Sequence, residues 1–225
     1  AVGGAALDAH TTGTANSALG QSALSNNTTG NYNIAIGRLA LVSNTTASNN
    51  TAVGYQALYA NTTGAVNVAV GREALAYNTT ASYNTSIGYY ALRNNTTGQY
   101  NNAHGYYALL SNTTGEFNQA FGIHALNDNT TGSNNNAYGF SALRVNNASN
   151  NSAFGHEALR LNTSGINNVA LGGQALYSNT TASNNTAVGY QAGYANTTGT
   201  NNTAVGFAAL QSNITANNNT AVGTS

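Results

Sequence analysis

Small and apolar residues recur along the chain at a fixed interval. The tripeptide Ala-x-Gly returns almost without interruption, with its glycines at 3, 20, 37, 54, 71, 88, 105, 122, 139, 155, 172, 189, 206 and 223. Every interval is 17 residues except that from Gly139 to Gly155, which is 16. Thirteen repeats therefore fill the chain, and no linker or shift in composition marks a second domain. An alanine stands three residues after each glycine in all 13 repeats, and a leucine follows it in 12, with Gly193 as the exception. An asparagine stands four residues before the glycine in all 13: Asn16, Asn33, Asn50, Asn67, Asn84, Asn101, Asn118, Asn135, Asn151, Asn168, Asn185, Asn202 and Asn219. A second asparagine, seven after the glycine, is present in 12, with His10 as the exception.

A period of 17 is too short for the helical repeats, which need roughly 33–47 residues, and for a propeller blade. It fits one coil of a parallel β-solenoid. The pattern predicts two strands per coil, one at Asn-Thr-Ala-Val-Gly-Tyr and one near Ala-Leu-Tyr-Ser, joined by a wide turn at Asn-Thr-Thr-Gly. Coils about 4.8 Å apart would give a rod of roughly 60 Å. Asparagines stacked level over level can pass hydrogen bonds along the axis, since an amide both donates and accepts. The leucine row fills each coil. With one leucine, one small-residue row and one Val-type residue per coil, the core is thin, which predicts several chains packed side by side. The residue just before each glycine (Val2, Leu19, Ile36, Val53, Val70, Ile87, then His104, Phe121, Tyr138, Phe154, Leu171, Val188, Val205, Val222) is the row expected to face partner chains. The two positions after the glycine vary and read as exposed. The repeat starts and ends in phase without an atypical terminal coil. Solenoids normally need such caps, so the expectation is a segment of a longer fibre or a subunit stacking end to end.

Composition narrows the function. Of 225 residues, 40 are Asn and 30 Thr, and 4% are charged, five basic against five acidic. Polar tracts of this kind often stay disordered, but 41% hydrophobic residues at strict periodicity argue for a fold. The basic residues are all arginines, at 38, 72, 93, 144 and 160, too scattered for a nucleic-acid footprint. No apolar run approaches the ~20 residues of a membrane helix. There is no cysteine, hence no disulfide and no thiolate metal site.

The motifs Asn-Thr-Ala-Val-Gly (50–54, 185–189, 202–206, 219–223) and Asn-Ile-Ala-Ile-Gly (33–37) resemble the head repeats of YadA-like trimeric autotransporter adhesins. The run Thr51-Ala-Val-Gly-Tyr-Gln-Ala-Leu-Tyr-Ala-Asn-Thr-Thr-Gly64 resembles repeats of phage and bacterial tail fibres. The resemblance spans nearly the whole chain. It implies an all-β left-handed parallel β-roll, a homotrimer about one axis, an extracellular location, and a fibre that touches other surfaces such as a glycan or protein receptor. The adhesin repeat is usually shorter than 17, so the wide turn is an addition.

Candidate chemistry is sparse. The acids Asp8, Glu73, Glu116, Asp128 and Glu157 are spread along the array, and no nucleophile constellation or phosphate loop accompanies them. An enzyme is therefore not expected, and no cofactor is called for. Arg72-Glu73 and His156-Glu157 read as solvated surface pairs. His104 replaces Val or Ile in the apolar row, and three copies on a threefold axis would form a ring for a metal or anion. Tyr55, Tyr89, Tyr90, Tyr106, Tyr107, Phe140, Tyr190 and Phe207 follow the glycine by one or two positions and are the candidates for a surface-binding strip. Asn-x-Thr/Ser triplets, among them Asn27, Asn44, Asn61, Asn78 and Asn95, fit turn chemistry and also match glycosylation sequons. Repeated Thr-Thr pairs such as 28–29, 62–63 and 96–97 raise ice binding by a single-chain solenoid as the alternative. The 16-residue step falls in the turn Arg144–Ser149 and reads as a tolerated loop deletion. The expected function is a non-enzymatic structural segment of an extracellular fibre or adhesin.

Overall fold

The computed structural model describes residues 1–224 and is an all-β parallel solenoid of about 13 coils, with no helix among the described residues. The chain divides into two compact units, Ala1–Glu116 and Phe117–Ser225. The first carries β1 (Ser17–Leu19), β2 (Ile34–Ile36), β3 (Thr51–Val53), β4 (Val68–Val70), β5 (Thr85–Ile87) and β6 (Asn102–His104). The second carries β7 (Gln119–Phe121), β8 (Asn136–Tyr138), β9 (Ser152–Phe154), β10 (Val169–Leu171), β11 (Thr186–Val188), β12 (Thr203–Val205) and β13 (Thr220–Val222). Within each unit the strands pair in parallel and in chain order, like over like: Ala35 faces Ala52, and Ala187 faces Ala204.

Each coil has one three-residue strand, not two. The Ala-Leu segment is a turn, and the reason lies in which way its side chains point. Successive residues of a strand point to opposite faces, yet Ala40 and Leu41 are both fully buried, as are Ala57 and Leu58. A left-handed backbone at the leucine turns both inward: Leu41 has φ 51° and Leu58 φ 51°. The residue before the alanine (Leu39, φ 60°; Gln56, φ 53°) and the residue before the fixed asparagine (Asn49, φ 62°; Val66, φ 59°) are left-handed too. Such a conformation costs an L-residue about 1–2 kcal/mol, and it persists only where the surroundings over-determine it. Here the neighbouring coils do so. Leu41 donates its N–H to the carbonyl of Ala57 at 2.9 Å, and Leu39 donates in the opposite direction to Gln21 at 2.9 Å. Coil-to-coil bonds of this kind satisfy the backbone outside the strands.

The interior holds the strand's central alanine, the Ala-Leu pair and both asparagine rows. Gly193, the one departure from leucine, keeps the row's left-handed backbone with φ 62°. This sets up a test at Leu126, which is fully buried with φ 50°. Leu126→Ala should cost about 2–5 kcal/mol. Leu126→Gly, which normally costs more, should be no worse, because glycine relieves the left-handed strain of about 1 kcal/mol. Urea denaturation of the two variants measures the order.

The 16-residue step is a loop deletion, as expected, and the structure shows how it is absorbed. In a regular coil three donors converge on one backbone carbonyl: the Thr28 N–H, the Thr28 hydroxyl and the Thr29 N–H all reach the carbonyl of Thr45. At the short coil the equivalent donors of Thr130 and Thr131 converge instead on the side-chain oxygen of Asn147, at 2.8–3.0 Å. The amide oxygen replaces the missing main-chain carbonyl, and β8 and β9 stay in register, with Ala137 facing Ala153.

Candidate binding surface

Three sets of side chains could carry function: the internal asparagines, the outward strand rows and the positions after the coil glycine. The asparagines form two different ladders. In the row that precedes the strand, the side-chain oxygen accepts the next asparagine's backbone N–H, as Asn33 Oδ1 does from Asn50 at 3.0 Å. The amide group of that row donates to a turn carbonyl of the next coil, Asn33 to Ala47 at 2.8 Å. The amide-to-amide chain runs mainly through the second row: Asn44 Nδ2 donates to Asn27 Oδ1 at 2.9 Å, and Asn61 to Asn44 at 3.2 Å. The same second-row amides also reach the turn carbonyl of their own coil, so the carbonyl of Ala47 takes one donor from Asn33 and one from Asn44. From Asn33 to Asn202 the first row is buried, whereas Asn16 and Asn219 are half-exposed. These bonds are all internal to the scaffold. Asn27, Asn44, Asn61, Asn78 and Asn95, the sequon positions, lie buried within it.

Each of the strands β1 to β12 buries only its central residue and turns its two flanking residues outward. The outward row before the glycine is apolar at most levels. In the first unit Leu19 is 49% exposed and Ile36 39%. In the second, Phe121, Tyr138 and Phe154 stack face to face in a column, with centroids 4.7 and 4.9 Å apart. His104 ends β6 in this row, beside Ile87 of β5, and is half-exposed. Among the described residues no three His, Cys, Asp or Glu side chains gather.

The positions after the glycine divide. The first is exposed at most levels and forms columns. In the first unit the guanidinium of Arg72 lies 5.5 Å from the Tyr55 ring centre and 5.7 Å from that of Tyr89, and Tyr89 stacks on Tyr106 at 5.4 Å. In the second unit the pairs are Phe140 on His156 and Tyr190 on Phe207. The second position is more covered than the sequence suggests: Tyr90 and Tyr107 are half-exposed and stack on each other at 5.6 Å.

Glu73 is the clearest correction. It is not part of a solvated surface pair but is 7% exposed. Its closest partner is Arg93, at 2.7 Å, and sequence-adjacent Arg72 is more distant at 3.4 Å. Arg93 also lies 4.7 Å over the Tyr77 ring and 4.8 Å over that of Tyr90. His156 and Glu157 are 3.7 Å apart, with Arg160 3.5 Å from the carboxylate.

Proton affinities mark the tyrosine columns. The hydrogen bond with the Tyr106 hydroxyl, with a smaller contribution from burial, pushes Tyr107 up to about 12. The Tyr89 hydroxyl likewise raises Tyr90, and the phenol oxygens of Tyr90 and Tyr89 raise Arg72. A free tyrosine titrates near 10, so the fold favours the neutral phenol. That contribution to stability is complete below about pH 10 and is lost as pH rises through about 12. Ultraviolet titration of phenolate should show a late-titrating group that returns to the ordinary range in Tyr106→Phe.

The threonine pairs split as well. The first hydroxyl of a pair is spent on the next coil, as Thr62 Oγ1 is on the carbonyl of Thr79 at 3.0 Å. The second, at Thr29, Thr63 and Thr97, is exposed. No family model, curated protein or solved structure matches the chain.

Proposed function

We propose that the chain is a non-enzymatic structural segment of an extracellular fibre or adhesin: a left-handed β-roll, three copies about one axis, that spaces or presents a surface-binding element. The observation that carries this reading is the apolar outer face of the sheet. Each coil turns a Val, Ile, Leu or aromatic residue outward just before its glycine at nearly every level, while the apolar part of the coil interior is a single leucine and small alanines beside the buried asparagines. Contiguous apolar surface of this kind marks an interaction site, and burying it between copies adds the apolar contact that one thin coil lacks. Periodicity favours identical partners, because a copy presents the same row at the same spacing. The low charge leaves little nonspecific attraction for polyelectrolytes.

Native mass measurement tests the assembly and should give three times 22.9 kDa. The double variant Val53→Asp, Val188→Asp places charges on the outer face of β3 and β11 without entering the coil interior. It should return the protein to a single-chain mass with its circular dichroism unchanged. A wild-type protein that runs as one chain would end this reading.

Ice binding by a single chain is the second reading. The exposed second threonine of each pair supports it, since Thr29, Thr46, Thr63, Thr80 and Thr97 repeat at the coil spacing. Only one of the two hydroxyl rows is free to meet water, which weighs against it. Thermal hysteresis of the purified protein decides between the two.

A further inference from the structure

Folding sorts the Asn-x-Thr/Ser triplets into two classes. In the wide turn the asparagine is fully buried and its nitrogen is spent: Asn61 Nδ2 donates to Asn44 Oδ1 at 3.2 Å and to the carbonyl of Gly64 at 2.9 Å. The second class begins two residues before a strand. Asn49, Asn150, Asn184, Asn201 and Asn218 each open an Asn-Asn-Thr or Asn-Asn-Ser triplet, and all five are exposed. They share one row, just ahead of the fixed internal asparagine, with left-handed φ between 57° and 62°. Asparagine visits that conformation more readily than most residues, yet the coil does not require it there. At other levels the same row holds Tyr32, Val66, Tyr83 and Tyr100, with φ 56–61°.

A triplet can accept a sugar only where it lies on a surface loop, with its amide and its hydroxyl reachable together. This row meets that condition. Asn184 is exposed, Asn185 is 1% exposed, and Thr186 opens β11 half-exposed on the outer face. The same in-and-out order recurs at Asn49, Asn50 and Thr51. The middle residue anchors the triplet in the ladder while its two chemical groups face outward. Asn184 pairs through its oxygen, which accepts from Asn167 Nδ2 at 3.2 Å, so the nitrogen is left out of the ladder. Two other exposed triplets lack this freedom. Asn147 spends its oxygen on Thr130 and Thr131, and the Ser149 hydroxyl beyond it accepts the Ser133 N–H at 3.0 Å. In the Asn26 triplet the Thr28 hydroxyl donates to the carbonyl of Thr45 at 3.0 Å.

We infer that this row is a site of N-linked glycosylation: a glycosyltransferase working on the folded coil modifies Asn49, Asn150, Asn184, Asn201 and Asn218 and passes over the buried triplets. The amide nitrogen attacks the anomeric carbon of a nucleotide-activated sugar. A C–N bond forms as the C–O bond to the diphosphate breaks, the nucleoside diphosphate leaves with the electron pair, and one amide proton is released. The sugar must be added after folding, because a coil interior in which Asn61 has no exposed surface has no room for one. The inference does not rest on the fibre reading.

The test is incubation of the folded protein with a soluble N-glycosyltransferase and UDP-glucose, followed by peptide mapping. Synthetic peptides spanning the Asn49 and Asn61 triplets serve as unfolded controls, and both should accept hexose. In the folded protein hexose should appear on the five exposed asparagines and be lost from Asn61 and Asn78. Thr51→Val should abolish transfer to Asn49 and leave Asn150 as in wild type. Valine already stands at that place in β4 and β10, as Val68 and Val169, so the variant keeps the fold, which circular dichroism checks. Hexose on Asn61 in the folded protein, absence of hexose from the exposed row while the peptides accept it, or unchanged transfer to Asn49 in Thr51→Val overturns the inference. Transfer to the row in a protein of single-chain mass would uphold it while ending the fibre reading.

Discussion

Alanine in place of Gly88 is expected to destabilise the first unit by about 3–5 kcal/mol, through two independent penalties. Gly88 has φ 140°, a region that side-chain-bearing residues rarely enter, and a Cβ there would lie 2.5 Å from the carbonyl oxygen of Gly105 and 2.8 Å from its carbon. The obstructing atoms are backbone. Gly105 is itself tied to the ladder through its N–H on Ile87 at 2.8 Å, so it cannot withdraw without breaking that bond. The proper control is another glycine with neither problem. Gly173 has only two tyrosine ring carbons in reach, and Gly173→Ala should fall within about 0.5 kcal/mol of wild type. Urea unfolding followed by circular dichroism compares the two. Because each coil contacts only its neighbours, amide exchange in Gly88→Ala should quicken first at the levels of β5 and β6. If Gly88→Ala and Gly173→Ala unfold together, the steric account of the glycine row is wrong.

The period was legible because a solenoid imposes the same requirement at every level, and repetition inside one chain exposes it. The glycine row, the asparagine rows and the buried leucines all appear as near-invariant columns. Direction was harder to read. Ala-Leu looked like a strand because its residues suit one, but two adjacent positions that are apolar and fixed in nearly every coil cannot both face the inside of a strand. That adjacency was the available signal for the left-handed turn found at Leu41 and Leu58. Side-chain pairing misled for a related reason. Neighbours in the sequence drew attention to Arg72 and Glu73, whereas stacking brings together residues about 17 apart. Glu73 and Arg93 are 20 apart and meet at 2.7 Å, and Gln174 and Glu157 are 17 apart and meet at 3.1 Å. A search at the coil offset would have found the second pair, and one widened by three residues the first. The partner of each asparagine was also hidden, since a backbone carbonyl or N–H carries no residue identity. The aromatic run at 121, 138 and 154, which the sequence left without an account, is a ring column on the outer sheet face.

The asparagine ladder should be the point at which exchanging one amide nitrogen for oxygen makes the scaffold lose stability toward neutral pH. Asn67 is fully buried, and each of its polar groups has an assigned partner. Its N–H donates to Asn50 Oδ1 at 2.9 Å, its Oδ1 accepts the Asn84 N–H at 3.0 Å, and its Nδ2 donates to the carbonyl of Ala81 at 2.9 Å. Asn67→Ala strands the Asn84 N–H and should cost about 1–3 kcal/mol beyond the lost packing. Asn67→Asp keeps the acceptor but turns the donor into an oxygen facing the Ala81 carbonyl. A protonated carboxyl can still donate there, while a carboxylate cannot, and the partners of Asn67 are two asparagines and the carbonyl of Ala81, none of them a cation. Burial and the opposing carbonyl both favour the neutral acid, so the introduced group's folded pKa must lie above the ordinary 3.9 or so of an exposed aspartate. The sign follows by linkage. The variant should be nearly as stable as wild type below about pH 4 and should lose stability as pH rises through the folded-state value, to a total of several kcal/mol at neutral pH. Wild type, with a neutral amide at every level, should show no such fall across the same range. Urea midpoints measured from pH 3 to 8 read the difference directly, and a variant whose midpoint tracks wild type throughout would mean that the ladder tolerates an unpaired acceptor and does not hold the coils in register.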